Sequence, residues 1–181
     1  MVECLDEAPF AGLCQPMVNA PDKPFDPVRN ANEEALRTAH HLLKDTRFAS
    51  LATLDAEGHP FASLVSFALD RAGQPFLFVS RLSAHTQHLL VNPRAALLVG
   101  EPGKGDPLAH ARMTVQCHAE PVPKESDDII LLKTLYLARH PKAQLYADFP
   151  DFVFIRLKPL AASLNGGFGK AFRLTAEELR P

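Results

Sequence analysis

The sequence predicts a mainly β protein of the α+β class, a small antiparallel barrel with peripheral helices, and three observations lead there. Apolar and polar residues alternate with a period of two through several runs between Arg47 and Leu174. Two linkers among those runs, Asp55-Ala-Glu-Gly58-His and Asp70-Arg-Ala-Gly73-Gln, are near duplicates with Asp first and Gly three residues on, the chemistry of a type I turn closed by a left-handed residue. Segments of helical period, each marked by a capping residue or a proline stop, interrupt the strands instead of forming a block of their own.

The elements follow in order. Residues 1–29 hold Pro9, Pro16, Pro21, Pro24 and Pro27 with no sustained period and read as a Pro-rich leader, while Phe10, Leu13, Met17 and Phe25 give it apolar side chains for docking. The domain proper is expected over 30–181. A first helix starts near Asn32, with Glu33 and Glu34 complementing its dipole and Leu36, Ala39 and Leu43 at helical spacing. Phe48–Leu54, Phe61–Leu69 and Phe76–Ser80 then read as strands joined by the two tight turns. Because the 15-residue offset between the turns occurs once, it is no solenoid repeat.

Ser83 is a credible N-cap for a short helix that ends at Pro93, and Ala95–Val99 is a continuous apolar strand. The loop 100–108, with Pro102, Gly103, Gly105 and Pro107, leads to a strand over Arg112–Glu120. Met113, Val115, Cys117 and Ala119 share one face of it, and Arg112, Thr114, Gln116 and His118 share the other. Ser126-Asp-Asp opens a further helix that stops at Pro141, and a helical turn fits 143–147. Phe152–Leu157 is a strand that Ala161–Leu164 continues after Pro159. Asn165-Gly-Gly-Phe-Gly169 is a flexible junction to Ala171–Leu174, and Thr175-Ala-Glu-Glu178 has capping-box spacing for a last short helix.

Composition limits the function. A chain of 181 residues with 46% hydrophobic and 22% charged residues is neither disordered, collagenous nor coiled-coil. No run approaches the roughly 18 apolar residues of a spanning helix, and Glu3, Asp6 and Glu7 stand where a signal peptide needs positive charge, so a cytoplasmic protein with no membrane partner is expected. With 19 Lys and Arg against 21 Asp and Glu, no overall field favours nucleic acid. Cys4, Cys14 and Cys117 are an odd set that suits neither a disulfide framework nor a zinc pair and reads as free thiols. The 12 Phe residues carry nearly all the aromatic packing.

Three segments offer chemistry. In Ser80-Arg-Leu-Ser83-Ala-His-Thr86 a strand ends beside a helix start, so helix amides, the Arg81 guanidinium and the hydroxyls of Ser83 and Thr86 could converge on one phosphate; an ordinary N-cap beside a solvated arginine fits the same residues. The polar face Arg112, Thr114, Gln116 and His118 could supply donors to a heterocycle or simply meet water. Gly166-Gly167-Phe168-Gly169 would let backbone approach a flat ligand while Phe168 packs on it, or serve only as a turn; it lacks the dinucleotide GxGxxG spacing. His85 and His88 are three apart, but no carboxylate or cysteine accompanies them, and no metal site is predicted. Neither a nucleophile elbow nor an HExxH motif is present, which removes hydrolases.

These segments, together with Ala49-Ser-Leu-Ala-Thr-Leu-Asp55, Gly58-His-Pro-Phe-Ala-Ser63-Leu-Val, Asn92-Pro-Arg94, Gly105-Asp-Pro-Leu108, Ala111-Arg112, Tyr136-Leu-Ala-Arg-His-Pro141, Asp148-Phe and Gly169-Lys-Ala171, resemble the FMN-binding split barrels related to pyridoxamine 5'-phosphate oxidase. Within them the likeness is to the haem-utilisation branch, from residue 47 to the end of the barrel. The resemblance implies a split β-barrel of six to seven antiparallel strands and a homodimer with two FMN molecules at the subunit interface. It places Ser63, Leu64 and Val65 along the flavin, Ser80, Arg81, Ser83 and Thr86 on the ribityl phosphate, and Arg112 and Gln116 on the approach from the other polar strand. Gly167 and Phe168 join them from the glycine-rich junction. The oxidase strand Arg-x-Val-Leu-Leu-Lys stands here as Ala62-Ser63-Leu64-Val65-Ser66 without either basic residue, which argues against pyridoxamine phosphate oxidation. The expectation is an FMN-dependent oxidoreductase acting on a small molecule, the cofactor supplying the chemistry. The alternatives are a haem-binding or haem-degrading protein, in which no histidine is singled out as ligand, and a non-catalytic FMN module or dimeric scaffold.

Overall fold

The structure, a computed structural model, describes residues 28–167 and 169–180. Nearly all of the Pro-rich leader expected over 1–29 lies outside the described residues, as does the side chain of Phe168.

Six antiparallel strands close on themselves: β2 (Phe48–Leu54), β3 (Pro60–Leu69), β4 (Pro75–Ser80), β5 (Arg94–Val99), β6 (Arg112–Pro121) and β7 (Phe152–Asn165). The order is β7-β4-β3-β2-β5-β6, and the β6–β7 pairing completes the barrel. Beyond it β8 (Ala171–Thr175) pairs with β7, and β1 (Arg29–Asn30) runs parallel to β8. The alternation read from the sequence is the reason for closure: Leu51, Phe67, Leu77, Leu97, Val99, Met113, Val115, Ile155 and Leu157 all point inward and are fully buried. Each such side chain contributes about 1.5–3 kcal/mol relative to exposure. The two duplicate linkers form the expected hairpin turns, with Gly58 at φ +89° and Gly73 at φ +75°, and Asp70 Oδ1 accepts from both Ala72 N and Gln74 N at 2.9 Å.

Among the described residues three α-helices sit outside the barrel. Helix α1 (Glu33–Asp45) is capped by Asn32, whose Oδ1 accepts from Ala35 N at 2.9 Å, and it buries Ala35, Ala39 and Leu43 against the barrel. Helix α2 (Ala84–Val91) starts after Ser83 and packs across β2 and β3. Helix α3 (Asp128–Arg139) covers a second core built from Phe76, Phe78, Leu132, Tyr136 and Phe154, where the aromatic load of the composition is concentrated. Phe78 alone meets Tyr136, Tyr146, Phe152 and Phe154, the last stacked at 4.6 Å between centroids.

The strand expected to continue past Pro159 does so as one strand, because Pro159 sits at a bulge where β7 slips by one residue against Gln116 and Cys117 and no ladder N–H is required. Three expectations need correction. Thr175–Glu178 is a turn, not a helix, although the box bonds form, with Thr175 N donating to Glu178 Oε2 at 2.8 Å and Glu178 N to Thr175 Oγ1 at 3.3 Å. The turn expected over 143–147 is a 3₁₀ segment, Pro141–Leu145, which begins directly after α3. Arg29, assigned to the leader, belongs to β1.

Candidate functional site

The residues singled out from the sequence fall into two regions. The first is the corner where β4 hands the chain to α2. There Ser80 donates its hydroxyl to Asp151 Oδ2 in a short bond, and the same oxygen accepts from Leu82 N at 3.1 Å, so the Ser80 hydroxyl is already committed. The side chain of Arg81 is exposed, while its backbone carbonyl accepts from Gln87 Nε2. Ser83 occupies the N-cap position with extended backbone, yet its hydroxyl makes no cap bond. Its carbonyl accepts from Thr86 N at 3.0 Å and Gln87 N at 3.1 Å, starting the helix by backbone alone.

Inside that corner are two orphan polar atoms. Thr86 is fully buried and its Oγ1 has no partner; Nε2 of the half-buried His85 is also buried and unpartnered. Nδ1 of His85 lies 3.3 Å from Ser63 Oγ, which fixes the ring against β3. Burial, and after it the neighbouring His88, push the His85 imidazole below its ordinary range, so it is neutral at pH 7. His88 does not share a metal face with His85. Its Nδ1 is 3.1 Å from Thr53 Oγ1, and its ring meets Phe61 edge-on at 5.1 Å. The sequence marked Thr86 but gave no sign that its hydroxyl would be buried without a partner.

The second region is the outer face of β3, β2, β5 and β6. Register aligns its side chains in rows across the strands. Leu64, Ser50, Leu98 and Thr114 form one row; Ala62, Ala52, Ala96 and Gln116 form the next. Leu64 is 74% exposed and Leu98 43%, and Leu160, thrown outward at the bulge of β7, is 55% exposed. At the usual strand spacing four strands span about 14 Å. The row of alanines leaves a shallow trough between apolar walls, and a cavity of about 320 Å³ opens along it between Ala52, Leu54, Arg94, Ala96, Gln116 and Leu160. Arg112 belongs to the same face, but its guanidinium donates to the Leu108 carbonyl at 3.0 Å and so pins the 100–110 loop.

This geometry separates the residues that the resemblance gathered on one ligand. Leu64 and Gln116 present their side chains on the outer face, whereas Val65 is in the barrel core and Ser63 faces α2, because neighbours along a strand point to opposite sides. Gly167 has φ +109°, and a Cβ there would stand 3.0 Å from the Ala109 carbonyl, so glycine is required for the junction to pack under the 100–110 loop. Asp55, Glu57 and His59 bring ligand atoms within 4.8 Å of one another, but Asp55 already accepts from His59 N at 2.7 Å and contacts its ring at 3.1 Å, closing the β2–β3 turn.

A closed six-stranded antiparallel barrel with α2 laid across β2 and β3 defines the split-barrel class. Residues 35–165 match the pyridoxamine 5'-phosphate oxidase family, and the chain belongs to it. Its curated relatives include the protein named non-canonical heme oxygenase HOZ, chloroplastic, of Arabidopsis thaliana, 38% identical over 116 residues, which are 64% of this chain and 35% of that one. They also include heme oxygenase HutZ of Vibrio cholerae, 24% identical over 141 residues, 75% of this chain and 78% of the relative. A solved structure described as a heme binding protein from Mycobacterium smegmatis superposes with a TM-score of 0.75 at 32% identity, over 82% of this chain and 61% of that one. The chain thus spans about a third of the length of the Arabidopsis relative. Among the described residues no helix is long and apolar enough to cross a membrane.

Proposed function

We propose that this chain binds haem on the outer face of β3, β2, β5 and β6 and serves haem breakdown. The observation that carries the reading is the contiguous apolar face itself: Leu64, Leu98 and Leu160 stand exposed around a floor of Ala52, Ala62 and Ala96 broad enough for the flat of a tetrapyrrole. The relatives described as haem oxygenases and as a haem-binding protein support it. Bound haem would supply oxygen chemistry at its iron. The residues of this chain would do the rest: the leucines exclude water from the ring faces, and the Gln116 amide offers a donor and an acceptor at the edge of the trough. A second copy meeting the first across this face would enclose the ligand, and we propose a homodimer on that ground.

FMN binding at the α2 corner is the second reading, favoured by the unpartnered Thr86 hydroxyl and His85 Nε2 beside the exposed Arg81. It ranks second because Asp151 lies at that corner on the Ser80 hydroxyl, where a carboxylate repels a phosphate. Absorption spectra after gel filtration with excess haemin or, separately, excess FMN decide between them. A retained Soret band without retained flavin is expected. Flavin retained with no Soret band would replace haem by FMN, and retention of neither would leave a dimeric scaffold.

A further inference from the structure

Beyond the alanine row, the next row of the outer face carries charge. Register sets Arg94 of β5 opposite His118 of β6, and His118 opposite Lys158 of β7. All three are exposed and lie side by side across three strands. Arg94 and Lys158 bring two positive charges to this row, two strands apart, with the His118 imidazole between them. Among the described residues no carboxylate comes within ion-pair distance of any of them. The carboxylate next along β6, Glu120, is set opposite Arg156, which is itself engaged by Asp70 and Asp128. Arg94 Nε donates to Asn92 Oδ1 at 3.1 Å, which orients the side chain, and among the described residues its two terminal nitrogens have no partner. Arg94 is also a wall of the 320 Å³ cavity, together with Leu54, Ala96, Gln116 and Leu160. An apolar trough therefore runs into a row of unpaired cationic and N–H donors.

We infer that Arg94, His118 and Lys158 form a carboxylate-recognition site at one end of the trough; this rests on the haem reading and assigns to these residues the propionate groups of the porphyrin. The Arg94 fork fits a carboxylate with two parallel bonds, Lys158 adds a point charge, and His118 between them adds an N–H donor. An anion there pairs with both cations, and the apolar ring behind it fills the trough.

Full-length wild-type protein and the variant Arg94→Gln/Lys158→Gln are titrated with haemin and with its dimethyl ester, following the Soret band. Both positions are exposed, so the variant folds, and an unchanged far-UV circular dichroism spectrum checks that. Haemin affinity is expected to fall about tenfold or more in the variant, with ester affinity the same in both proteins. Unchanged haemin affinity in the variant, or an equal loss for haemin and ester, overturns the site and leaves the haem reading standing. Wild-type protein that binds neither porphyrin overturns the haem reading and the site with it.

Discussion

Arg139 fastens two parts of the molecule that share no strand, and its removal is the most demanding test of the packing. From the last turn of α3 its guanidinium donates to the carbonyls of Lys44 at 2.7 Å, Leu43 at 3.2 Å and Thr46, which are the unsatisfied acceptors at the end of α1. It also lies 5.4 Å from the centroid of Phe67. Burial, and then the charge of Arg47, work against the guanidinium, and its Nε has no partner. Hydrogen bonds to a charged group are worth about 1.5–3 kcal/mol each and the cation–π contact about 1 kcal/mol. Three bonds to one group are not additive, and the desolvated Nε subtracts, so Arg139→Ala should destabilise by about 3 kcal/mol. Because the chain has no Trp, urea unfolding is followed by far-UV circular dichroism, and a midpoint shift of about 1–2 M is expected. Arg139→Lys, which keeps charge but not the fork, should recover less than half of the loss. A loss below about 1 kcal/mol for Arg139→Ala would refute the idea that these carbonyls depend on it.

Three further outcomes are expected. Thr86→Val keeps the shape of a fully buried side chain while deleting an unpartnered hydroxyl, so the melting temperature should hold or rise by a few degrees; a fall would mean that the hydroxyl has a partner in solution. Burial pushes the Cys117 thiol up to about 12, so in a Cys4→Ser/Cys14→Ser background a thiol reagent at pH 8 should react only as fast as the protein unfolds, and rapid stoichiometric labelling of folded protein would contradict its burial. His85 and His140 both have imidazoles held below the ordinary value of 6.5, chiefly by burial, so the unfolded chain binds more protons than the native one as pH falls through that value. Stability should therefore be full above about pH 7 and decline toward pH 5, with a shallower decline in His85→Gln; an identical decline in that variant would remove His85 from the account.

The barrel strands were legible because alternation and turn chemistry are local properties. Asp55, Gly58, Asp70 and Gly73 announce both hairpins, and Met113, Val115, Cys117 and Ala119 announce the inner face of β6. Features set by distant partners were not. Nothing near Pro159 reveals the bulge by which β6 carries the strand through it, and nothing near Arg29 reveals that β8 would accept it in parallel. The candidate site divides in the same way. Leu64 and Gln116 could be placed on an exposed face by period alone, but the alignment of Arg94, His118 and Lys158 depends on the register of three strands separated by more than 20 residues along the chain at each step. The bond of Ser80 to Asp151 likewise joins residues 71 positions apart, a partner the local sequence could not show.

The position of β7 in the sheet bears on how the chain acquires its structure. This one strand lies along β6 on one edge, and on the other along β4 over residues 152–156 and β8 over residues 161–165. Until residue 165 has been synthesised, β4 and β6 are the open edges of a five-stranded sheet whose inner face is apolar. Such edges pair readily with other chains. The barrel thus closes in a late, long-range step that joins residues 112–121 to 155–165, and slow translation or truncation just before β7 would hold the nascent chain in its most aggregation-prone form.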